Sequence, residues 1–312
     1  MLSETLCDKA SSSQARPRPA LKIARAAHLG MCFGVRDAIA LAKSVEKPLT
    51  ILGELVHNES VVADLKAAGV QMEKDVDRVA TAAVMITAHG TSDRQLERIR
   101  RRGLEVTQAT CPLVHYAHRS VRNLVAQNYH PIIIGQAGHV EVRGLTEDLA
   151  EFDIILTEQD VQQLRERPRF GIAVQTTQPL ERARHLTELI AARFPQSEIR
   201  FVDTVCQPTK QRQTAAAELA AQSDVVVVIG GAHSNNTRQL AETCRRFCPR
   251  VHHIQRAEEL RGEWFAGAEI VGVTAGTSTP EWIIEQVERR LARIGQEDET
   301  AWSQLEPKRA LT

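Results

Sequence analysis

An α/β protein is what this sequence predicts: three similar small parallel-sheet α/β units in a pseudo-threefold arrangement around a central cavity. Three observations predict it. Continuous apolar runs alternate with helical patterns, which is how strands buried on both faces of a parallel sheet read. One order also recurs roughly every 80 to 95 residues: a run to a cysteine, a run to a polar cluster, and a later run to a second cluster, with offsets 32→57→89, 111→139→176 and 206→234→278. Finally, nearly all the chemically distinctive residues fall at the carboxyl ends of those runs, where open α/β sheets bind ligands.

Residues 1–20 are rich in Ser, Arg and Pro, carry Glu4 and Asp8, and lack an apolar stretch, so a disordered tail is expected rather than a secretory signal. The first unit, 21–110, begins with a strand over Leu21–Ala27, then Cys32 and a helix over Val35–Val45. A strand over Pro48–Leu55 ends at His57, helical Ser60–Ala68 follows, and a strand over Ala82–Thr87 ends at His89. Helical Asp93–Arg101 leads on to Cys111. The second unit, 111–205, opens with a helix over Leu113–Gln127, where Pro112 takes a first-turn position that proline tolerates. Its strands are Pro131–Gly135, ending in Gly138-His139-Val140-Glu141, then Asp153–Leu156, and Phe170–Val174, ending in Gln175-Thr176-Thr177. The strand Phe201–Val205 leads to Cys206 and the third unit, 206–293. A helix over Lys210–Ala221 precedes the strand Asp224–Ile229, which runs to His233-Ser234-Asn235-Asn236. Strands Arg250–Ile254 and Glu269–Thr274 follow, the latter ending in Ala275-Gly276-Thr277-Ser278. A helix over Trp282–Arg293 closes the unit, and 294–312 reads as a loose tail.

Composition excludes several classes. Lys plus Arg (39) balances Asp plus Glu (39), so no global field draws the chain to nucleic acid or an acidic membrane. No apolar run nears the roughly 18 residues of a membrane span, and at 4% aromatics a base-stacking platform is not expected. Six cysteines without a secretory signal point to metal or catalysis before disulfides, and to a cytoplasmic location.

Cys32, Cys111 and Cys206 each lie on a strand-to-helix turn, where helix amides favour the thiolate. Three thiolates can hold an iron–sulfur cluster, although such cubanes usually take four cysteines. With three, one iron keeps an open position for a substrate oxygen. Ordinary buried thiols are the alternative. Cys244 and Cys248 sit outside the repeat; small-residue packing explains them, or a zinc site with His252 and His253 of no common spacing. His57, His89 and His139, the hydroxyls of Thr176, Ser234 and Ser278, and the amide of Asn236 are hydrogen-bond donors suited to a polyanion. Gly90, Gly138 and Gly276 beside them admit close backbone approach. No Walker A or G-x-G-x-x-G motif is present. Glu141 is the one carboxylate in these clusters and a natural proton donor if buried beside a metal centre.

At these residues the chain resembles the 4-hydroxy-3-methylbut-2-enyl diphosphate reductase family of the non-mevalonate isoprenoid pathway. The matching motifs include Cys32-Phe33-Gly34-Val35, Val56-His57-Asn58, Ala88-His89-Gly90, Ala109-Thr110-Cys111-Pro112, Gly138-His139-Val140-Glu141, Gln175-Thr176-Thr177, Thr204-Val205-Cys206, Ser234-Asn235-Asn236 and Ala275-Gly276-Thr277-Ser278, spanning roughly 22–290. The resemblance implies one [4Fe-4S] cluster per chain, held by Cys32, Cys111 and Cys206, whose fourth iron takes the substrate hydroxyl. It implies that His57, His89, Thr177, Ser234, Asn235, Asn236 and Ser278 bind the diphosphate, with His139 beside it. Glu141, aided by Thr176 and His139, would deliver protons, and a ferredoxin or flavodoxin would deliver electrons. The family usually has Pro where Val140 stands, Gly-Thr where Gly144-Leu145-Thr146 stands, Thr-Lys where His115-Tyr116 stands, and Ser where Asn235 stands.

Three rivals accompany that reading. A divergent paralogue would act on another allylic diphosphate. A quinolinate-synthase-like three-cysteine dehydratase would need dicarboxylate-binding arginines at strand ends, and none stands there. A non-catalytic iron–sulfur sensor or scaffold would leave Glu141 idle.

Overall fold

The runs rich in valine and isoleucine become strands, because branched side chains suit a pleated surface buried on both faces. The computed structural model describes residues 21–46 and 48–305. In chain order these form β1 (Lys22–Arg25), α1 (Phe33–Ser44), β2 (Leu49–Leu52), α2 (Glu59–Ala67), β3 (Gln71–Glu73), β4 (Ala83–Ile86), α3 (Asp93–Arg101) and β5 (Glu105–Gln108). The middle of the chain gives α4 (Pro112–Ala126), β6 (His130–Ile134), α5 (Val140–Thr146), β7 (Asp153–Ile155), α6 (Glu158–Gln163), β8 (Arg169–Val174), α7 (Leu180–Arg193) and β9 (Glu198–Phe201). The remainder gives α8 (Gln207–Ala220), β10 (Val225–Ile229), α9 (Asn235–Arg245), β11 (Val251–Ile254), β12 (Ile270–Ala275) and α10 (Glu281–Leu305).

The strands make three four-stranded parallel sheets of one order: β3-β2-β4-β5, β7-β6-β8-β9 and β11-β10-β12-β1. The third is completed out of sequence, since Ile23 pairs with Val271 and Ala24 with Gly272. The unit expected over 21–110 is corrected here. Its first strand belongs to the third sheet, because β12 presents an edge that only the returning N-terminal segment fills.

Helices sit on both faces of each sheet. Ala38 and Ala42 of α1 pack on Leu49, Ile51 and Met85, while Ile99 of α3 covers Val84 and Ile86 on the opposite face. Ala117 and Val121 of α4 pack on Ile133 and Ala173, and Ala216 and Ala220 of α8 on Val226 and Val228. Cys32, Cys111 and Cys206 therefore stand where the chain leaves one sheet and sends a helix onto the next: β1 to α1, β5 to α4, and β9 to α8. Three such crossings close a ring and turn all three junctions inward.

Two boundaries differ from expectation. The strand predicted over Phe201–Val205 ends at Phe201, and α8 begins directly after Cys206, three residues early, because Pro208 fits a helix's first turn. The helix predicted to end at Arg293 continues to Leu305, since Gly295 packs against Leu21 and no proline follows before Pro307. The expected tail over 1–20, and the end of the one over 294–312, lie outside the described residues.

Candidate active site

Cys32, Cys111 and Cys206 occupy the N-cap positions of α1, α4 and α8, and none of the three sulfurs caps its helix. All are half-buried free thiols. Gly34 keeps α1 close to its neighbour: a methyl group there would lie 2.6 Å from Cys111 Sγ. Cys32 acts electrostatically on both Cys111 and Cys206, so the three junctions share one local field. Helix amides were expected to stabilise the thiolates, and the balance goes the other way. Burial pushes Cys111 up despite the amides of Leu113 and Val114, and pushes Cys206 up to about 11. Cys111 and Cys206 therefore need a compensating cation to favour their thiolates.

The donor set fits an iron–sulfur cluster by its chemistry, because three soft sulfurs select such a group. Among the described residues, the one set of three His, Cys, Asp or Glu ligand atoms gathered within 4.8 Å of one another is that of His57, His89 and His139.

The strand ends bring the three imidazoles together. Ring centroids lie 4.9 Å apart for His57–His89 and 5.6 Å for each pair with His139. Burial is the largest cause lowering all three pKa values, with His139 brought to about 4 and His89 held well below its usual range. They are neutral at neutral pH. His139 Nδ1 accepts the Glu141 amide at 3.1 Å, so its proton sits on Nε2. His57 Nδ1 lies 3.5 Å from Glu54 Oε2, while its buried Nε2 has no partner. Asn236 is also buried, and neither of its amide atoms has a partner. Unsatisfied buried groups cost stability unless a ligand completes them. Ser234 Oγ accepts the Thr237 amide at 3.3 Å and keeps its proton to donate, whereas Ser278 Oγ donates to the His57 carbonyl at 3.3 Å. Asn235 Nδ2 donates to Thr177 Oγ1 at 3.0 Å, linking the second and third sheets. These residues line one narrow cavity drawn from all three sheets. A cleft of about 540 Å³ adjoins it, sharing His57 and His139 and lined also by Val140, Lys74, Arg143 and Arg238.

Glu141 is 1% exposed. The Thr176 amide donates to its Oε1 at 2.6 Å and the Thr176 hydroxyl to its Oε2 at 2.9 Å. Both bonds favour the carboxylate, yet burial outweighs them and the pKa rises to about 7. Its field reaches Cys111 and Cys206, so a protonatable acid shares the surroundings of two of the thiols.

Glu141 acts electrostatically on Cys111 and Cys206, and His57, His89, His139, Thr177, Ser234, Asn235, Asn236 and Ser278 line one cavity. The Cys244/Cys248 pair belongs to neither group. Both sulfurs pack in an apolar cluster, His252 stacks on Trp264 at 4.0 Å, and His253 Nε2 donates to the Gly230 carbonyl at 2.9 Å. Sequence reasoning missed Arg238, whose charge acts on His57 and His139 and whose Nη2 donates to Gln136 Oε1 at 2.7 Å. Its place four residues after Ser234, one helical turn on, was the available signal. Arg212, near the thiols, was missed as well.

A family model described as LytB protein matches residues 23–292. A 4-hydroxy-3-methylbut-2-enyl diphosphate reductase of Geobacter sp. (strain M21) is 38% identical over 280 residues, 88% of this chain and 98% of its own length. One of Pelobacter propionicus is 35% identical over 282 residues, 89% of this chain and all of its own. A solved (E)-4-hydroxy-3-methyl-but-2-enyl diphosphate reductase, described as the terminal enzyme of the non-mevalonate pathway, aligns with TM-score 0.64 and 35% identity over 88% of this chain and 99% of its own. The Plasmodium falciparum E-1-hydroxy-2-methyl-but-2-enyl-4-diphosphate reductase aligns with TM-score 0.81 and 25% identity over 87% and 88%. Among the described residues no helix is long and apolar enough to cross a membrane.

Proposed function

The chain belongs to the LytB protein family, and from that premise we propose that it reduces (E)-4-hydroxy-3-methylbut-2-enyl diphosphate to isopentenyl and dimethylallyl diphosphates. The observation that carries the proposal is Glu141: a buried carboxyl with a pKa of about 7, held by two bonds from Thr176, whose field reaches Cys111 and Cys206. Two electrons and two protons exchange the substrate's C–O bond for C–H and release water. Cys32, Cys111 and Cys206 would hold a [4Fe-4S] cluster, which when bound supplies electrons and a Lewis-acidic site for the hydroxyl.

The chain's own residues do the rest. His139 Nε2–H, the Ser234 hydroxyl and the Asn236 amide would meet diphosphate oxygens, and His89, Thr177, Asn235 and Ser278 complete the wall. His57 would gain a second proton on Nε2 when an anion arrives, because its Nδ1 faces Glu54. Glu141 donates the proton that lets the hydroxyl leave as water, and Thr176 fixes which oxygen faces the substrate. Closing this cavity excludes bulk water from the reacting carbon. A ferredoxin or flavodoxin as donor and a cytoplasmic location belong to the same proposal, on the strength of the family resemblance. Family membership displaces the quinolinate-synthase-like reading.

The close imidazole nitrogens also favour a second reading, a mononuclear metal at His57, His89 and His139. The tautomer argues against it, since a His139 that accepts the Glu141 amide on Nδ1 carries its proton on the nitrogen a metal would need. The test is turnover by anaerobically reconstituted protein supplied with dithionite and a viologen dye. Conversion to the two five-carbon diphosphates is expected. An intact cluster with no conversion overturns the proposal, and conversion of a different allylic diphosphate instead identifies the paralogue.

A further inference from the structure

Arg212 is a buried cation that the chemistry above leaves unused. It stands on α8, six residues after Cys206, and is 8% exposed. Its Nε donates to the Gly30 carbonyl at 2.9 Å, and its Nη1 to the Pro208 carbonyl at 3.0 Å. Gly30 lies two residues before Cys32 and Pro208 two after Cys206, so one guanidinium straps together the turns that present two of the three thiols. Gly30 has φ +72°, and a side chain there would meet Ile284, which fixes where that carbonyl points. Among the described residues no carboxylate pairs with Arg212, and the ionisable groups whose charge acts on it are Cys32 and Cys206.

A buried charge without a counter-charge is strongly disfavoured, and carbonyl dipoles compensate it only in part. Neutral thiols supply no negative charge. Metal-bound thiolates do. We propose that Arg212 is the built-in counter-charge of the metal centre, holding the Cys32 and Cys206 turns in register and favouring the centre's reduced, more negative state. This rests on the reading of the three cysteines as iron–sulfur ligands.

The field of a fixed cation lowers the energy of an added electron, so removing the cation makes reduction harder. The experiment is a potentiometric titration of reconstituted holoprotein, followed by its visible absorbance, on wild type, Arg212→Gln and Arg212→Lys, with iron content measured on each. For Arg212→Gln, the expected result is about a tenfold lower ratio of reduced to oxidised centre at a given potential, equivalent to 59 mV for one electron. Arg212→Lys keeps the charge and should recover most of that ratio. If Arg212→Gln retains no iron while Arg212→Lys does, the charge is again supported. Equal potentials in all three proteins overturn the proposal, and so does loss of iron from both variants, which would make Arg212 a strap whose charge is incidental. Wild-type protein that takes up no iron overturns the cysteine reading itself and is told apart by that result.

Discussion

Glu141 concentrates the residue-scale argument, because its ionisation links stability to chemistry. Folded, its carboxyl keeps a proton up to about pH 7, against an ordinary value of 4.5. A folded pKa above the unfolded one means full stability below about pH 4.5, lost as pH rises through 7, with a cost of about 3 kcal/mol once the group is ionised. Glu141→Gln removes that cost. Urea unfolding at acid and at mildly alkaline pH should show wild type losing stability relative to the variant, and equal slopes would contradict the burial argument. The acid form is also the working form, so turnover should fall as pH rises through about 7, and Glu141→Gln should lose at least a hundredfold in kcat while keeping its iron. Thr176→Val deletes one bond that favours the carboxylate and should move the alkaline limb of the kcat profile upward. The residue types were legible in the sequence: strand-end histidines, one acid and three cysteines in register. Their protonation was not. A helix start argues for a thiolate at Cys206, and only the folded surroundings reveal that desolvation wins.

Helix starts decide how the elements bring these groups together. A cysteine at an N-cap with no capping bond leaves its sulfur facing inward, and Gly34 lets α1 reach the Cys111 turn. Gly34→Ala places a methyl 2.6 Å from Cys111 Sγ, closer than real contacts allow. The sulfur must move, so we expect iron retention to fall several-fold with an unchanged circular dichroism spectrum; retention at wild-type level would show the approach to be slack. Gly231→Ala is harsher, since its methyl would sit 2.2 Å from the His57 carbonyl oxygen, a backbone atom that cannot turn aside. Loss of the folded state or of substrate affinity is expected there, read by thermal unfolding and KM. Helices with clear periodicity, such as Asp93–Arg101, were legible to the residue. The start of α8 was not, because Gln207-Pro208 reads as a loop until the cysteine before it is seen as a cap. The end of α10 was missed for the converse reason: charged sequence resembles a tail, yet nothing in it breaks a helix.

The whole molecule is a ring of three sheets in which Cys32, Cys111 and Cys206 mark the crossings from one sheet to the next. The repeat of cysteine and polar clusters revealed the three units in the sequence. That β1 belongs to the last sheet was hidden, since edge pairing depends on which edge is free and not on local pattern. Truncation through Arg25 should therefore unfold the third sheet preferentially, with hydrogen exchange rising in β12 and β10 before β6 or β2; uniform protection would contradict the pairing. The account depends most on one centre being held by three junctions, and iron content after anaerobic reconstitution tests that directly. Wild type, Cys244→Ser and Cys248→Ser should each bind about four irons per chain, whereas serine at Cys32, Cys111 or Cys206 should strip most of them. Full iron retained in any of those last three variants would contradict it.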